Sequence, residues 1–324
     1  MTSFWSDRRV LVTGGSGFLG RAVCAKLVAR GANVIAPTHR EIDLREAEAV
    51  DAMFAEVNAE LVIHLAARVG GIGYNQVAPA ELYLDNLLMG TYLIEAARRF
   101  DVAKTVLVGT VCSYPKFTPV PFKEQSLWDG YPEETNAPYG IAKKALLIHA
   151  QVNRAQYGQQ SIFLIPTNLF GPGDSFDNAV SHVIPALIRK CVEAREQGHE
   201  TIEVWGTGSA SREYLYVHDA AEGIVLAAEH YDGAEPVNLG SNHEITIRET
   251  VELIAKATGF DGRLVWDPTK PDGQPRRRVD ADRALVSFGW KATTAFEAGL
   301  AETVRWYREN RAAAEKPRLE SDQK

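Results

Sequence analysis

Cysteine and long apolar runs are both scarce in this chain of 324 residues. The three cysteines, Cys24, Cys112 and Cys191, are odd in number and too few for a disulfide framework, so we expect a reducing, cytoplasmic environment. No apolar run approaches the roughly 18 residues of a membrane helix, and charged residues 7–9 interrupt the N-terminus before an apolar signal segment can form. We therefore expect neither a membrane anchor nor a signal peptide.

The chain also lacks an excess of positive charge. Lys and Arg number 35 against 42 Asp and Glu, which gives a formal net charge of −7 and argues against nucleic acid or an anionic membrane as the main partner. Hydrophobic residues make up 45% and charged residues 24%, the mixture of an ordinary globular protein. The length predicts two lobes. We also expect a small-molecule ligand and no metal site.

Short apolar segments alternate with helical patterns through the first half of the chain. Strands are expected at residues 10–13, 34–36, 61–65, 105–109 and 161–165, and helices at 21–30, 46–57, 82–100 and 142–157. This alternation predicts an α/β fold with a doubly wound parallel Rossmann sheet. We expect residues 1–172, with 214–240 returning, to form this domain. Residues 173–213 and 241–311 should form a smaller, mostly helical substrate lobe, and 312–324 a disordered tail.

Three glycines lie at regular spacing in and just after the turn between the first strand and the first helix. Gly14, Gly17 and Gly20 flank Phe18 and Leu19, and glycine is needed where a pyrophosphate approaches the backbone and the helix lies close to the strand. The helix N-terminus would offer N–H groups and a positive dipole end to the phosphates. The 3+3 spacing of these glycines resembles that of the short-chain dehydrogenase/reductases. The sequence therefore predicts a dinucleotide site.

The end of the second strand carries cations where an NAD-binding fold places an acid. Residues 37–40 include His39 and Arg40 and no carboxylate. A guanidinium can hold a 2′-phosphate through two hydrogen bonds, which favours NADPH over NADH. The alternative, that Arg40 is only a solvated side chain, remains open at this point.

A phenol and an ammonium lie one helical turn apart at Tyr139 and Lys143. Such a lysine stabilises a phenolate and makes the phenol useful as an acid or base. Thr110 follows a predicted strand and would present its hydroxyl at the carboxyl end of the sheet. In this order the three residues resemble the catalytic set of the extended short-chain dehydrogenase/reductases, with Thr where Ser is usual.

Further motifs narrow the resemblance. They are the segments at residues 69–72, 111–116, 135–140, 166–172, 181–186 and 270–275. Together they resemble the GDP-L-fucose synthase family, whose members epimerise C3 and C5 of GDP-4-keto-6-deoxy-D-mannose and reduce C4 with NADPH. The resemblance implies that Cys112 and His182 carry protons, that Thr110 and Tyr139 act at the C4 oxygen, and that the chain forms a homodimer. A thiolate and an imidazole suit the proton-carrying roles.

The same resemblance implies the residues that bind the two ligands. For the cofactor they are Gly14, Gly17, Phe18, Leu19, Gly20, His39, Arg40, Asp43, Leu44, Ala66, Ala67, Tyr139, Lys143, Pro166, Asn168, Leu169 and His182. For the nucleotide-sugar substrate they are Val69, Gly70, Asn168, Lys190, Trp205, Arg212, Lys270 and Asp272. The basic run Arg276 to Arg278 is either a solvated loop or a substrate contact.

Two alternatives remain on the sequence alone. One is a C4 reductase or epimerase of another nucleotide-diphosphate 4-keto sugar, and the other is a non-catalytic NADP(H) sensor. A sensor would need none of Cys112, Tyr139, Lys143 and His182, whose joint presence argues against it. A 4,6-dehydratase would need an acidic pair where this chain has Val111 to Ser113, and a 3,5-epimerase that retains NAD agrees poorly with residues 37–40.

Overall fold

The apolar segments of the first half lie side by side as parallel strands. The computed structural model describes residues 4–178, 180–270 and 272–316, except for the side chain of Ile72. The strands are β1 (Arg9–Thr13), β2 (Asn33–Ile35), β3 (Leu61–His64), β4 (Lys104–Val108), β5 (Ser161–Pro166), β6 (Asn168–Phe170), β7 (Thr201–Trp205), β8 (Ser211–Tyr216), β9 (Val237–Leu239), β10 (Glu244–Thr246), β11 (Arg263–Asp267) and β12 (Arg276–Arg277).

Helices connect most of these strands. They are α1 (Phe18–Ala29), α2 (Ala47–Val57), α3 (Ile72–Val77), α4 (Pro79–Arg99), α5 (Ala137–Tyr157), α6 (Val183–Glu196), α7 (Val217–His230), α8 (Ile247–Thr258), α9 (Asp282–Phe288) and α10 (Phe296–Ala314). Several begin earlier than the sequence patterns indicate, because Pro79 and Pro138 lie in the first turns of α4 and α5, where a missing N–H costs little.

The central sheet has the order β2-β1-β3-β4-β5-β9, and all its pairs are parallel. Apart from the edge strand β2, its strands are buried on both faces, with one core around α1 and α7 and the other around α2, α4 and α5. This confirms the predicted doubly wound parallel sheet, in which β9 is the strand beside β5. The strand order reverses between β1 and β3, and ligands bind at such a reversal in open α/β sheets.

The C-terminal part packs a third core among α6, α8 and α10. Sequence patterns indicate β7 and β11, but they missed β6, β8, β10 and β12, whose pairing joins distant segments of the chain. β8 pairs with β6, β10 and β12, and β7 pairs with β11. Helix α9 instead packs against α7 and β9, beside the central sheet, an arrangement that the proposed lobe boundaries did not include. The lobe boundaries themselves stay a prediction.

The expected disordered tail begins too early. Helix α10 continues to Ala314, whose carbonyl accepts a hydrogen bond from the Phe176 N–H (3.0 Å). Glu315 then accepts hydrogen bonds from the Tyr307 hydroxyl and from Arg311. Residues 312–316 are therefore ordered by contacts that composition does not reveal, and residues 317–324 lie outside the described part of the chain.

Truncation tests this end of the fold. Deleting residues 312–324 removes the bonds made by Ala314 and Glu315, so unfolding should cost about 2 kcal/mol less and the melting temperature should fall by about 3 °C. Deleting only residues 317–324 removes none of these bonds and serves as the control. Differential scanning calorimetry of both variants makes the comparison, and equal melting temperatures would contradict the role assigned to Ala314 and Glu315.

Candidate active site

The glycine turn lies where the strand order reverses. Gly14 has a φ of +72°, and a Cβ there would come within 2.6 Å of the Ala66 backbone nitrogen. A Cβ on Gly20 would clash with the Gly14 carbonyl oxygen. Gly17 is the N-cap of α1 and provides no side-chain cap, so the helix N-terminus can offer N–H groups to a phosphate. The cradle depends on close backbone approach, and its residues fit a dinucleotide pyrophosphate.

An open cavity of about 650 Å³ adjoins this turn. Its lining includes Ser16, Gly17, Phe18 and His39, which places His39 beside the start of α1. Arg40 follows His39 in an exposed turn. Cationic residues thus lie at the end of β2, as the sequence predicts.

Asp43 and Leu44, which follow the turn at His39 and Arg40, differ in solvent exposure and in their contacts. Asp43 accepts four hydrogen bonds from Arg45, three of them from the guanidinium, and these bonds hold its pKa below the usual range. Leu44 is buried in the core beneath α2. Asp43 is therefore a charged residue paired with Arg45, and Leu44 packs into the core under the turn.

His64 ends β3 and is almost completely buried. Its Nδ1 lies 2.8 Å from the Thr13 hydroxyl oxygen, whereas Nε2 has no hydrogen-bond partner among the described residues. Burial, with a smaller effect of the nearby Lys143 charge, lowers the pKa of His64 well below its ordinary value. The imidazole is therefore neutral beneath the Ala66–Ala67 segment.

Cys112 lies in a single 3-10 turn that follows β4. Thr110 caps this turn by accepting a hydrogen bond from the Cys112 N–H (3.2 Å). The Cys112 thiol lies 3.5 Å from the Asn136 amide oxygen, and the Arg277 guanidinium approaches its sulfur to 3.8 Å. Cys112 is half-buried. The thiol is thus held between a hydrogen-bond acceptor and a cation.

Helix α5 approaches this turn closely through Gly140. A Cβ on Gly140 would come within 2.5 Å of the Cys112 carbonyl oxygen, and the Ser113 hydroxyl donates to the Gly140 carbonyl (2.9 Å). The contact brings Tyr139, the residue before Gly140, to the same end of the sheet as Thr110 and Cys112. Three residues chosen from separate motifs therefore meet at one site.

Lys143 is buried one turn along α5, with its ammonium 6.0 Å from the centre of the Tyr139 ring. Burial lowers the pKa of Lys143 to about 8. Burial also raises the pKa of Tyr139, and a negative charge on Cys112 would add to that effect. Desolvation therefore favours the protonated phenol, and the role of Lys143 in stabilising a phenolate stays a prediction. Tyr139 is a protonated donor at neutral pH.

His182 is exposed and occupies the N-cap position of α6 without a side-chain capping bond. The preceding residues contact the loop that holds Val69 and Gly70, since the Gly71 N–H donates to the Val180 carbonyl (3.1 Å). From this loop, α3 carries Asn75, whose amide donates to the Asn136 oxygen (3.2 Å), the same oxygen that faces Cys112. These contacts link the His182 segment to the Cys112 site.

The end of β5 closes the site from another side. Pro166 pairs with Leu239, and Asn168 donates to the Glu213 carbonyl (2.9 Å), with Leu169 half-buried beside it. Glu213 is fully buried, and desolvation raises its pKa to about 7. Asn168 is thus anchored to β8, in the C-terminal part of the chain.

A second group of expected residues gathers on β7, β8 and the loop before β12. The Lys270 ammonium lies 5.3 Å from the centre of the exposed Trp205 ring. Asp272 accepts hydrogen bonds from the backbone and hydroxyl of Thr207 (both 2.7 Å), and its carbonyl accepts one from Arg212 (3.0 Å). The structure therefore brings these substrate candidates together.

The two expected diphosphate cations differ in their setting. Arg212 donates to the Ser211, Gln274 and Asp272 carbonyls, and burial lowers its pKa to about 10. The exposed Lys190 donates to the Glu203 carbonyl on β7 (2.8 Å). Arg212 is thus built into the site, whereas Lys190 lies at its edge.

Sequence reasoning did not place three residues at the thiol, although it left open a substrate contact for the run that contains Arg277. Asn136 lies inside a motif that it used, yet nothing in the spacing indicates that the amide faces Cys112. Asn75 on α3 and Arg277 on β12 reach the same place through the tertiary fold. The signal that could have indicated Arg277 is strand alternation. Neighbouring side chains of a strand lie on opposite faces, so Arg277 would face away from Arg276 and Arg278.

Residues 4–178, 180–270 and 272–316 contain no group of three or more His, Cys, Asp or Glu side chains arranged to hold a metal ion. None of the helices described there is long and apolar enough to cross a bilayer.

Comparison with known proteins agrees with this geometry. Residues 10–240 match the model of the NAD dependent epimerase/dehydratase family. GDP-L-fucose synthase 1 of Arabidopsis thaliana is 42% identical over 311 residues, covering 95% of this chain and 96% of the relative. Because identity extends over nearly the whole length of both chains, the second lobe is shared as well as the Rossmann sheet.

Solved structures give the same picture. A GDP-L-fucose synthetase from Naegleria fowleri bound to NADP superposes with a TM-score of 0.86 at 31% identity, over 96% of this chain and 97% of that chain. A GDP-6-OMe-4-keto-L-xylo-heptose reductase from C. jejuni superposes with a TM-score of 0.88 at 27% identity, over 94% and 98%. The chain belongs to the NAD dependent epimerase/dehydratase family, on the branch that includes the GDP-L-fucose synthases.

Proposed function

We propose that this protein converts GDP-4-keto-6-deoxy-D-mannose to GDP-L-fucose by epimerising C3 and C5 and reducing C4 with NADPH. One observation carries the proposal. The Cys112 thiol lies in the same site as Thr110, Tyr139 and Lys143, so a base for C–H bonds accompanies the groups that act at a carbonyl. Full-length relatives named GDP-L-fucose synthase support the choice of substrate.

The glycine cradle and the ends of β2, β3 and β5 would hold the cofactor. Gly14, Gly17 and Gly20 receive the pyrophosphate, and Phe18 and Leu19 continue into α1. Asp43, Leu44, Ala66 and Ala67 border the adenosine, and Pro166, Asn168, Leu169 and His182 border the nicotinamide half. When bound, the dihydronicotinamide supplies the hydride for C4. Arg40 and His39 select the 2′-phosphate by charge, which favours NADPH.

Epimerisation uses the acidity that the C4 ketone gives to the neighbouring C–H bonds. The Cys112 thiolate forms an S–H bond with the proton of C3 or C5, and the electrons of the broken C–H bond move to the C4 oxygen as an enolate. His182, reaching the ring from the α6 side, donates a proton to the opposite face of the same carbon. Two carriers on different elements are needed because inversion requires opposite faces.

Thr110 and Tyr139 act at the C4 oxygen. Their hydroxyls donate hydrogen bonds that stabilise both enolates, and stabilisation of a developing oxyanion is a major source of catalysis. Burial keeps the Tyr139 phenol protonated, so it can give its proton to the C4 alkoxide during reduction. Lys143, buried beside Tyr139, stabilises the phenolate that remains after this transfer, because its positive charge lies next to the ring.

The second lobe would bind the nucleotide diphosphate. Arg212 offers a guanidinium to the phosphates, with Lys190 as a point charge at the edge, and Trp205 presents an exposed ring for the base. Lys270 and Asp272 frame that ring and the adjoining loop. Val69, Gly70 and Asn168 would border the sugar, since they lie between this lobe and the catalytic turn.

A second candidate is reduction of C4 without epimerisation. The similarity to a GDP-4-keto-heptose reductase favours it, because that protein superposes over nearly the full chain. In that case Cys112 would carry no proton, and the product would keep the configuration of the substrate at C3 and C5.

One assay separates the two candidates. The protein is incubated with NADPH and GDP-4-keto-6-deoxy-D-mannose in D₂O, NADPH absorbance is followed, and the sugar is identified by NMR. We expect GDP-L-fucose carrying deuterium at C3 and C5, and a preference of more than about tenfold for NADPH over NADH, as one bidentate arginine contact provides. A C4-reduced sugar without deuterium would establish the second candidate, and no NADPH oxidation would contradict both.

We also propose a homodimer that joins the α4 and α5 faces of two copies. These helices pack side by side and carry exposed apolar residues, Tyr83 and Leu84 on α4 and Ile148 and Val152 on α5. A second copy of the same surface would remove them from water in a four-helix arrangement.

The proposed dimer can be disrupted from its centre. Val152→Glu would bury an unpaired carboxylate, so light scattering after size-exclusion chromatography should show a monomer. Val286→Glu changes an equally apolar but more exposed residue on α9 and should leave the dimer intact. A dimer in both variants would place the interface elsewhere, and a monomeric unmodified protein would exclude it.

The cytoplasmic location remains part of this proposal. All three cysteines are free thiols in the structure, and the proposed chemistry requires Cys112 in that state. A reducing compartment preserves it.

A further inference from the structure

The three consecutive arginines of the basic run have different surroundings. Arg276 is exposed and forms an ion pair with Glu244 through two hydrogen bonds of 2.8 and 2.6 Å. Arg277 is 9% exposed and points toward Cys112. The alternation arises because β12 pairs with β8, which sends neighbouring side chains to opposite faces. The run is therefore neither a solvated loop nor a uniform substrate contact.

Arg277 is oriented by a second residue that is anchored to the Cys112 segment. Its Nε donates to the Gln274 side-chain oxygen (3.1 Å), and the Gln274 amide donates to the Lys116 carbonyl (2.7 Å). Lys116 lies four residues after Cys112, so the guanidinium is held relative to the turn that carries the thiol. Its Nη1 then lies 3.8 Å from the sulfur.

The charges around the thiol are predominantly positive. Arg212 on β8 interacts electrostatically with both Cys112 and Arg277, Tyr139 on α5 faces Cys112, and Tyr214 on β8 faces Arg277. Among the described residues no carboxylate forms an ion pair with Arg277. A buried guanidinium without a carboxylate partner favours an anion beside it.

We propose that Arg277 is a positioning residue that stabilises the Cys112 thiolate and so supplies the base for epimerisation. This inference rests on the proposed function of the same site. Before the substrate reacts, the thiol gives its proton to solvent and leaves its hydrogen bond to Asn136, and the negative sulfur remains beside the guanidinium. The thiolate then takes the proton of C3 or C5, which restores the thiol.

Alkylation of the thiol tests this without substrate. Iodoacetamide reacts with thiolates, so Arg277→Met should slow modification of Cys112 at pH 7 by about tenfold, and the difference should shrink as the pH is raised. Arg277→Lys retains the positive charge and should recover most of the rate. Arg276→Met removes the neighbouring surface arginine and should react like the unmodified protein.

Peptide mapping by mass spectrometry separates the three thiols. Burial raises the pKa of Cys24 and raises that of Cys191 to about 11, so both provide slow internal references. Circular dichroism and NADP⁺ affinity establish that each variant is folded. Unchanged alkylation of Cys112 in folded Arg277→Met at every pH would overturn the proposal.

A second measurement distinguishes this proposal from the one on which it rests. In D₂O with substrate and NADPH, Arg277→Met should lower kcat for deuterium incorporation at C3 and C5 about tenfold, and the loss should diminish at high pH. A higher KM with unchanged alkylation would show that Arg277 only binds the substrate diphosphate. The two proposals can also fail separately. If Arg277→Met slows alkylation of Cys112 but the unmodified protein incorporates no deuterium, the contact between Arg277 and the thiolate stands and the epimerase function is contradicted.

Discussion

The site depends on the close approach of α5 to the turn that follows β4. At Gly140 the helix backbone lies so near the Cys112 carbonyl that a single Cβ would force them apart. This contact places the phenol of Tyr139 next to the thiol of Cys112 and buries Lys143 behind both. Without it, the residues of the reduction and those of the epimerisation would belong to separate places on the sheet edge. Glycine is therefore required at 140 by packing, not by backbone conformation.

Low solvent access then determines the protonation states. Tyr139 is held as a phenol, His64 as a neutral imidazole, and the pKa of Lys143 falls to about 8 because each charge loses its hydration. The Arg277 guanidinium lies directly against the reactive sulfur of Cys112. One compact site thus contains the proposed proton donor for oxygen and, on a different residue, the proposed base for carbon. Such a division suits a ketone that is first enolised and then reduced.

Much of this could be predicted from the sequence. The parallel sheet follows from apolar segments of strand length, and the glycine cradle from spacing, because local pattern determines both. Strands β6, β8 and β12 escaped prediction because their pairing joins distant segments. The extension of α10 to Ala314 depends on contacts with Phe176 and Tyr307. The raised pKa of Tyr139 and the place of Arg277 depend on burial and strand register, which a single sequence does not contain.

In the proposed mechanism, Cys112 moves protons at carbon, whereas Tyr139 serves the C4 oxygen. NMR of the product formed by Cys112→Ser in D₂O, beside that of Tyr139→Phe, tests it most directly. The serine hydroxyl is a far weaker acid than a thiol, so Cys112→Ser should yield a C4-reduced sugar without deuterium at C3 and C5. Tyr139→Phe should still exchange these positions while reduction falls by a factor of about 10². Normal deuterium incorporation and GDP-L-fucose from Cys112→Ser would contradict the claim.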